Sequence, residues 1–238
     1  MNKLINILKL SIIEFIFNFF GSKGVLKKLK TQTVSINQNI LSNQYCESLR
    51  EKIDQLIEND CPDIWSDSKG SDIRIWQFEK YLPDLKKELN IKNKISAIES
   101  YLGQNVEDWM IMANRLNHVE NNEGSGGGVH RDSAFSHQIK YIWYLSNVKD
   151  DSGPFSYLPN SNTYSLKNVF SDDFGKTRLQ KNTYNLSQIL GTQGTEIICD
   201  TRAIHGGKPI ESGKRYAATL YTFTKKGYKK KMLDSMGI

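Results

Sequence analysis

Cysteine is scarce in this chain. Only three cysteines, Cys46, Cys61 and Cys199, occur in 238 residues, an odd number that includes no CxxC pair. A disulfide scaffold needs several paired cysteines in an oxidising compartment, so this count argues against such a scaffold. We therefore expect a protein of the reducing cytoplasm.

The sequence also lacks a long, uninterrupted apolar run. Its most apolar stretch, residues 1–24, is broken by Lys9, Glu14 and Asn18. This stretch is too short and too polar for a membrane-spanning helix. A secretory signal peptide is also disfavoured, because Glu14 stands inside the apolar run and no A-x-A cleavage site follows it.

The same stretch has a helical pattern. At helical spacing one face carries Leu4, Leu8, Ile12, Phe15 and Phe19, and another carries Lys3, Ser11, Glu14 and Asn18. This pattern predicts an amphipathic helix that either packs on the core of the protein or lies on a membrane surface. A peripheral membrane contact through residues 1–30 is favoured by four lysines, Lys23, Lys27, Lys28 and Lys30.

Acidic residues are outnumbered, with 26 Asp and Glu against 32 Lys and Arg, which gives a formal charge of +6. The excess lies mainly in residues 21–30 and 224–232. A basic chain can bind nucleic acid, an anionic membrane surface or an anionic substrate. Because no zinc finger or RNA-binding signature occurs, we expect no nucleic-acid partner.

The chain changes character near residue 107. Helical spacing predicts helices over 41–60 and 82–103, with a strand at 72–78 between them. Beyond 107, short apolar or alternating runs rich in aromatic and branched residues predict many strands. Four regions follow: an amphipathic basic segment 1–30, a mostly helical support region 31–106, a strand-rich core 107–224 with an insertion at 160–192, and a basic tail 225–238. Helices followed by many strands predict an α+β protein with a β-sandwich or jelly roll.

Two triplets resemble protein-kinase motifs, HRD at 130–132 and DFG at 173–175. The kinase interpretation fails because no Asn follows HRD at the required distance, and the Gly-rich loop, the strand Lys and the APE triplet are all missing. DFG is then a surface turn, and HRD needs another explanation.

Histidine is rare, with four in the chain, and two of the four form a candidate metal site. His130 and Asp132 are two residues apart, so on an extended segment both side chains point to one side. His205, which ends a strand-like stretch, can supply a third ligand. Two histidines and one carboxylate make a facial triad that leaves open positions on Fe(II). The alternative is a polar turn after the glycines at 126–128.

Arg215 lies ten residues after His205, at the start of the next predicted strand. A strand, a turn and a return strand would bring its guanidinium near the metal. Because Arg binds carboxylates through two hydrogen bonds, the pair suggests an open iron beside a carboxylate-binding residue. Neighbouring Lys214 should point to the opposite side of the strand.

The segments HRD (130–132), GPFSYLPNSN (153–162) and DTRAIHGGKPIESGKR (200–215) resemble the Fe(II)/2-oxoglutarate-dependent oxygenases. The part around Gly153-Pro154 and Pro159 is most similar to the phytanoyl-CoA dioxygenase-like branch, and 205–223 is also similar to the prolyl-hydroxylase-type branch. The resemblance covers roughly 107–224 and implies a double-stranded β-helix, a cupin-like jelly roll.

The resemblance implies roles for particular residues. His130, Asp132 and His205 would bind the iron, and Arg215 would bind the distal carboxylate of 2-oxoglutarate. Some members carry Ser or Thr two residues after the Arg, where this chain has Ala217. The candidates for a second anchor are Asn117 and Tyr144.

The implied activity is hydroxylation of an unactivated C–H with O2, releasing succinate and carbon dioxide. The substrate would be a small molecule, lipid-linked or of sugar type, and residues 160–192 would form a lid. Two other classes use the same three ligands, a metal-binding jelly roll without turnover and a zinc-type hydrolase. Arg131 would be a surface charge or a substrate contact, while His118 would end a strand and His137 would lie inside one.

Overall fold

The computed structural model describes residues 2–132, 139–162, 179 and 184–238. Its helices are α1 (Asn2–Phe19), α2 (Leu29–Gln32), α3 (Asn43–Glu58), α4 (Leu85–Glu88), α5 (Ile91–Leu102) and α6 (Tyr228–Asp234), with a 3-10 helix at Phe78–Lys80. Its strands are β1 (Val34–Asn37), β2 (Ile64–Ser66), β3 (Asp72–Ile75), β4 (Asp108–Asn117), β5 (Ile139–Tyr144), β6 (Phe155–Tyr157), β7 (Ser187–Ile189), β8 (Glu196–Asp200), β9 (His205–Gly207) and β10 (Lys214–Phe223).

The strands form two antiparallel sheets. The larger has the order β1-β8-β5-β10-β4-β3-β2, and the smaller has the order β7-β6-β9. This arrangement confirms the predicted jelly roll with helical support.

The two faces of the larger sheet have different neighbours. On β10, Tyr216, Ala218 and Leu220 join a core cluster with residues of α3 and α5. The alternate residues Arg215, Ala217, Thr219 and Tyr221 line a cavity between the two sheets. Strand alternation therefore divides β10 into a structural side and a functional side.

Helix α3 lies within the helix predicted over 41–60, but the helix predicted over 82–103 is divided into α4 and α5, with Asn90 at a positive φ between them. Helix α3 begins after Ser42, whose side chain accepts a hydrogen bond from the Tyr45 N–H, and it buries Leu49, Ile53 and Leu56. Helix α5 ends at Gly103, which adopts a positive φ. Both helices cover the side of the larger sheet that faces away from the cavity.

The support region is less purely helical than the sequence indicates. Strand β3 lies within the predicted strand 72–78, but β1 and β2 also belong to the larger sheet and occupy its two edges. Likewise β7 falls inside the predicted insertion 160–192 and pairs with β6. Residues 163–178 and 180–183 lie outside the described residues, so the lid and the DFG turn remain predictions.

Helix α1 packs on the core of the protein with one side and exposes an apolar stripe on the other. Phe17 is buried in the core cluster, and Glu14 pairs with the buried Arg202. The stripe through Leu8, Ile12, Phe15 and Phe19, in contrast, is exposed. Within the described part of the chain, no helix has both the length and the apolar character needed to cross a membrane.

Candidate metal centre

A cavity of about 730 Å³ lies between the two sheets. The larger sheet lines it with Met112, Asn114, Lys140, Ile142, Tyr144, Arg215, Ala217, Thr219 and Tyr221, and the smaller sheet with Phe155, His205, Gly206 and Gly207. The wall also includes the loop at 123–127, Trp65, Asp67, Ser68, Lys69, the ion pair of Asp72 with Arg74, His130, Arg131, Asp132, Met232 and Met236. Its volume is within the range of small-molecule sites, roughly 300–1,000 Å³.

The backbone brings the two histidines together. His130 and His205 form an antiparallel bridge, in which the His130 N–H donates to the His205 carbonyl (2.8 Å) and the His205 N–H donates to the His130 carbonyl (2.9 Å). The Asp132 N–H donates to the Thr201 carbonyl (3.0 Å), which fixes the segment that follows. Residues 75 positions apart are thus adjacent through their own peptide groups.

Both imidazoles are oriented by the carbonyl next to them. Nδ1 of His130 lies 2.8 Å from the Gly128 carbonyl, and Nδ1 of His205 lies 2.9 Å from the Ala203 carbonyl. A carbonyl can only accept, so each Nδ1 carries a hydrogen, and in the neutral form of each ring Nε2 keeps a lone pair. Burial and the neighbouring His130 lower the pKa of His205 to about 3, so this imidazole is neutral, as a metal ligand must be.

Asp132 completes the group. Its Oδ1 lies 3.7 Å from Nε2 of His130, and its Oδ2 lies 3.8 Å from Nε2 of His205. One ligand atom from each of the three residues lies within 4.8 Å of the other two. Two imidazoles and a carboxylate that converge on one point suit a divalent transition metal such as Fe(II). The sequence predicted this grouping, and the structure brings it together.

Lys140 is a part of the site that the sequence analysis missed. Its Nζ lies 2.5 Å from Oδ2 of Asp132, and both side chains are nearly buried. Burial lowers the pKa of Lys140, but the Asp132 carboxylate more than offsets this, so the pKa lies above its usual value. The signal was available, because Lys140 shares the cavity face of β5 with Tyr144, four residues later.

Glycine in the loop before His130 leaves room for the imidazole. Gly126 has a φ of +86°, and a Cβ there would lie 2.8 Å from Cε1 of His130. Across the bridge, a Cβ on Gly206 would lie 2.9 Å from the Gly128 carbonyl oxygen. The glycine-rich sequence at 124–128 thus has a specific role at the candidate centre.

Arg215 is a buried cation on the same cavity wall, with 4% of its surface exposed. Its Nη1 donates to the Gly153 carbonyl, while its Nε has no hydrogen-bond partner. Among the residues that the structure describes, no carboxylate forms an ion pair with it. Lys214 is exposed, as the strand register predicted.

Of the two residues predicted as a second anchor for 2-oxoglutarate, one lies outside the cavity and the other lines it. Asn117 pairs across the sheet with Lys214, so it lies on the side away from Arg215, and its amide donates to the Gly70 carbonyl (3.1 Å). It does not line the cavity, so the geometry gives its predicted role no support. Tyr144 does line the cavity, but its hydroxyl donates to the Ile189 carbonyl and accepts from the Phe155 N–H, both at 2.9 Å.

The remaining predicted residues have mainly structural contacts. Arg131 donates to the Ser161 and Arg202 carbonyls, although it also lines the cavity. Asp200 accepts from the Arg202 side chain in the turn before His205. His118 follows β4 and contacts the Ile210 carbonyl (3.1 Å), and His137 lies outside the described residues.

This fold, with two histidines, an aspartate and a buried arginine around one cavity, is the arrangement expected of an Fe(II)/2-oxoglutarate-dependent oxygenase. A family model described as phytanoyl-CoA dioxygenase matches residues 36–217, more than half of the chain. The chain therefore belongs to the phytanoyl-CoA dioxygenase family and is an Fe(II)- and 2-oxoglutarate-dependent dioxygenase, as its resemblance predicted. A search of the curated proteins found no match.

Solved structures of low sequence identity share the fold. HygX from Streptomyces hygroscopicus, determined with nickel and 2-oxoglutarate, is 14% identical, with a TM-score of 0.60 over 84% of this chain and 86% of its own. The epimerase SnoN, determined with Fe3+, alpha ketoglutarate and nogalamycin RO, is 9% identical, with a TM-score of 0.63 over 84% and 82%. A Pseudomonas putida prolyl-4-hydroxylase is 13% identical, with a TM-score of 0.53 over 84% and 97%.

Proposed function

We propose that His130, Asp132 and His205 hold Fe(II), that Arg215 binds the distal carboxylate of 2-oxoglutarate, and that the enzyme hydroxylates an unactivated C–H of a small molecule. The observation that carries this proposal is the convergence of the Nε2 atoms of both histidines on the Asp132 carboxylate. The buried, unpaired Nε of Arg215 in the same cavity adds a fixed positive group for an anionic cosubstrate.

Bound iron and cosubstrate supply oxidation of a C–H by O2, coupled to conversion of 2-oxoglutarate into succinate and carbon dioxide. The chain supplies the surroundings for this chemistry. The two carbonyls behind the histidines keep the Nε2 atoms pointed inward, and Arg215 compensates an anion in a place from which the sheets exclude water. Lys140 holds Oδ2 of Asp132 and so helps to fix the position of the carboxylate beside the two histidines.

The cavity suits a substrate with both polar and flat apolar parts. Its inner wall carries Tyr221 and Met112, and its outer wall carries the charged Lys69 and Glu123. HygX has also been solved with hygromycin B, and SnoN with nogalamycin RO, so proteins of this fold bind small molecules. A sugar-type or other small-molecule substrate fits these observations. The enzyme would have to bind a lipid-linked substrate at the surface of a bilayer.

The test is a screen of candidate substrates that measures succinate release with Fe(II), 2-oxoglutarate and O2. Under anaerobic conditions, adding 2-oxoglutarate to the Fe(II) protein should produce a weak visible charge-transfer band, which reports on the site without turnover. His205→Ala should abolish both signals, while His118→Ala, which alters a histidine outside the cavity, should retain both. Zn(II)-dependent hydrolysis without oxygen would instead favour the hydrolase alternative.

The product distinguishes hydroxylation from related outcomes. SnoN is named an epimerase and SnoK a carbocyclase, so proteins of this fold also catalyse reactions other than hydroxylation. Mass spectrometry of the product should show one added oxygen atom, derived from O2. A product of unchanged mass would exclude hydroxylation and retain the metal site. Metal binding without any succinate would point to the non-catalytic module.

A further inference from the structure

An apolar stripe runs along the outside of helix α1. Its members recur at intervals of three and four residues and are 43% to 65% exposed, namely Ile5, Leu8, Ile12, Phe15 and Phe19. Phe20 and Val25 extend the exposed apolar surface beyond the helix, at 55% and 81%. Single exposed apolar residues are common, but a contiguous row on one helix marks an interaction surface.

The opposite side of α1 is fixed to the body of the protein. Phe17 is 3% exposed, and its ring lies 5.1 Å from the Tyr101 ring and 4.3 Å from the Arg202 guanidinium. Glu14 accepts a hydrogen bond from Nη1 of Arg202 (2.9 Å). The helix cannot turn its stripe inward without losing these contacts, so the fold holds the apolar row toward the outside.

The charge next to the stripe has one sign. Residues 15–30 contain four lysines and no Asp or Glu. Lys23, Lys27 and Lys28 are exposed directly after the helix, whereas Lys30 donates back to Asn18 (2.8 Å). The nearest acidic residue in the sequence, Glu14, is turned toward Arg202.

We propose that the exposed apolar row of α1 with Phe20 and Val25, together with Lys23, Lys27 and Lys28, forms an N-terminal surface that docks on the interface of an anionic phospholipid bilayer. The apolar row would enter the boundary of the acyl chains, and the lysines would face the anionic headgroups. Phenylalanines dominate the exposed end of the row, and Phe15, Phe19 and Phe20 contact one another, with centroids 5.9 Å and 4.8 Å apart. This proposal does not depend on the chemistry of the metal centre.

A second copy of the chain fits the surface less well. Symmetric pairing of two α1 helices would bury the apolar rows, but it would bring the lysines of two chains together without carboxylates opposite them. A bilayer that contains anionic lipid satisfies both the apolar and the basic parts of the surface. Self-association is therefore the alternative that the experiment must detect.

The experiment is sedimentation of the full chain with vesicles of phosphatidylcholine alone and of phosphatidylcholine mixed with phosphatidylserine. We expect binding to the mixed vesicles, at least about tenfold weaker for Phe15→Ser/Phe19→Ser, because two large apolar side chains leave the interface. Ile40→Ser, which removes an apolar residue 47% exposed outside this surface, is the matched control and should bind normally. Lys27→Gln/Lys28→Gln should weaken binding, whereas Lys87→Gln/Lys149→Gln, with the same change of charge elsewhere, should affect it less.

Light scattering without vesicles provides the second measurement. A monomer that binds the mixed vesicles supports the proposal. Weaker binding at high salt also supports it, because salt screens the attraction between the lysines and the anionic headgroups. Equal sedimentation of wild type and Phe15→Ser/Phe19→Ser would overturn it, as would no binding to either vesicle. A dimer that Phe15→Ser/Phe19→Ser dissociates would also overturn it and assign the surface to self-association. Unchanged Fe(II) binding by the variants would show that they fold.

Discussion

Arg215 is a buried positive charge that forms no ion pair with a carboxylate among the described residues. We expect Arg215→Ala to raise the 2-oxoglutarate concentration needed for half-maximal activity at least about tenfold, because a charge-assisted hydrogen bond contributes roughly 1.5–3 kcal/mol. Fe(II) affinity without cosubstrate should hardly change. Titrating 2-oxoglutarate at saturating Fe(II), with the charge-transfer band as a second readout, measures both quantities.

Lys214 provides the matched control for this prediction. It is exposed and points away from the cavity, so Lys214→Ala should leave the 2-oxoglutarate requirement unchanged. Arg215→Lys should restore part of the binding, because it keeps the charge and loses the planar fork. A defect in Lys214→Ala with a normal Arg215→Ala would contradict the assignment of the anchor.

Lys140 compensates the negative charge of Asp132, and a metal ion bound to Asp132 would compensate the same charge. Lys140→Met should therefore destabilise the metal-free protein strongly, by roughly 3–5 kcal/mol, because it leaves a buried carboxylate without its cation. Adding Fe(II) anaerobically should recover much of that loss. Thermal unfolding with and without metal measures the difference.

Lys94 supplies the control for Lys140. It pairs with the buried Glu196 outside the cavity, so Lys94→Met removes a comparable ion pair that no metal can replace. Its loss of stability should be the same with and without Fe(II). If both variants responded alike to metal, Lys140 would have no particular relation to the centre.

Individual residues could be predicted from the sequence where both the type of side chain and its spacing indicated a role. His130, Asp132, His205 and Arg215 lie around one cavity, as the sequence predicted, because the proposed metal ligands and carboxylate binder would need particular side chains at particular intervals. Asn117 was misplaced, because which side of β4 faces the cavity depends on the pairing of Asn117 with Lys214, a register that no local pattern encodes.

At the scale of elements, the loop before His130 should control metal binding through Gly126. Gly126→Ala adds a Cβ 2.8 Å from the imidazole, so it should weaken Fe(II) binding by about tenfold, or about 1.4 kcal/mol. The measurement is an anaerobic Fe(II) titration of the purified variant.

Gly213→Ala isolates the steric effect from the backbone effect. Gly213 also has a positive φ, +64°, but a Cβ there meets nothing within 4 Å. Both variants bear a similar cost for the left-handed conformation, on the order of 1 kcal/mol. Only Gly126→Ala should alter the metal titration, and an equal effect of both would reject the steric explanation.

Elements were predictable where the pattern is long enough. The 16-residue α3 and the 10-residue β10 repeat their period several times, whereas β1, β2 and β7 contain four, three and three residues. Such short strands exist because a partner strand supplies their hydrogen bonds, and for β1 that partner, β8, is distant in sequence. The apolar stripe of α1 was also visible in the sequence, but only the contacts of Phe17 and Glu14 determine that it faces outward.

At the scale of the whole molecule, the support region and the strand-rich core form one sheet. Residues 107–224 alone lack β1, β2 and β3 and lose the helices that cover the core cluster. We expect this fragment to show no cooperative unfolding transition by circular dichroism. Residues 21–238, which lack only α1 and Phe20 with their few core contacts, should unfold cooperatively. A cooperative transition in 107–224 would show that the two regions are independent domains.

The position of β10 has a consequence for how the chain acquires its structure. Without β10, the larger sheet consists of two separate three-stranded parts, β1-β8-β5 and β4-β3-β2, and β10 lies between them. A ribosome synthesises β10 after all the other strands. The edges of β5 and β4 that pair with β10 therefore remain unpaired until β10 has left the ribosome. Sheets that depend on distant pairings form slowly, and open edges favour aggregation. The strand that carries Arg215 is thus also the one that closes the sheet, and the cavity cannot exist on the nascent chain before about residue 223 has left the exit tunnel.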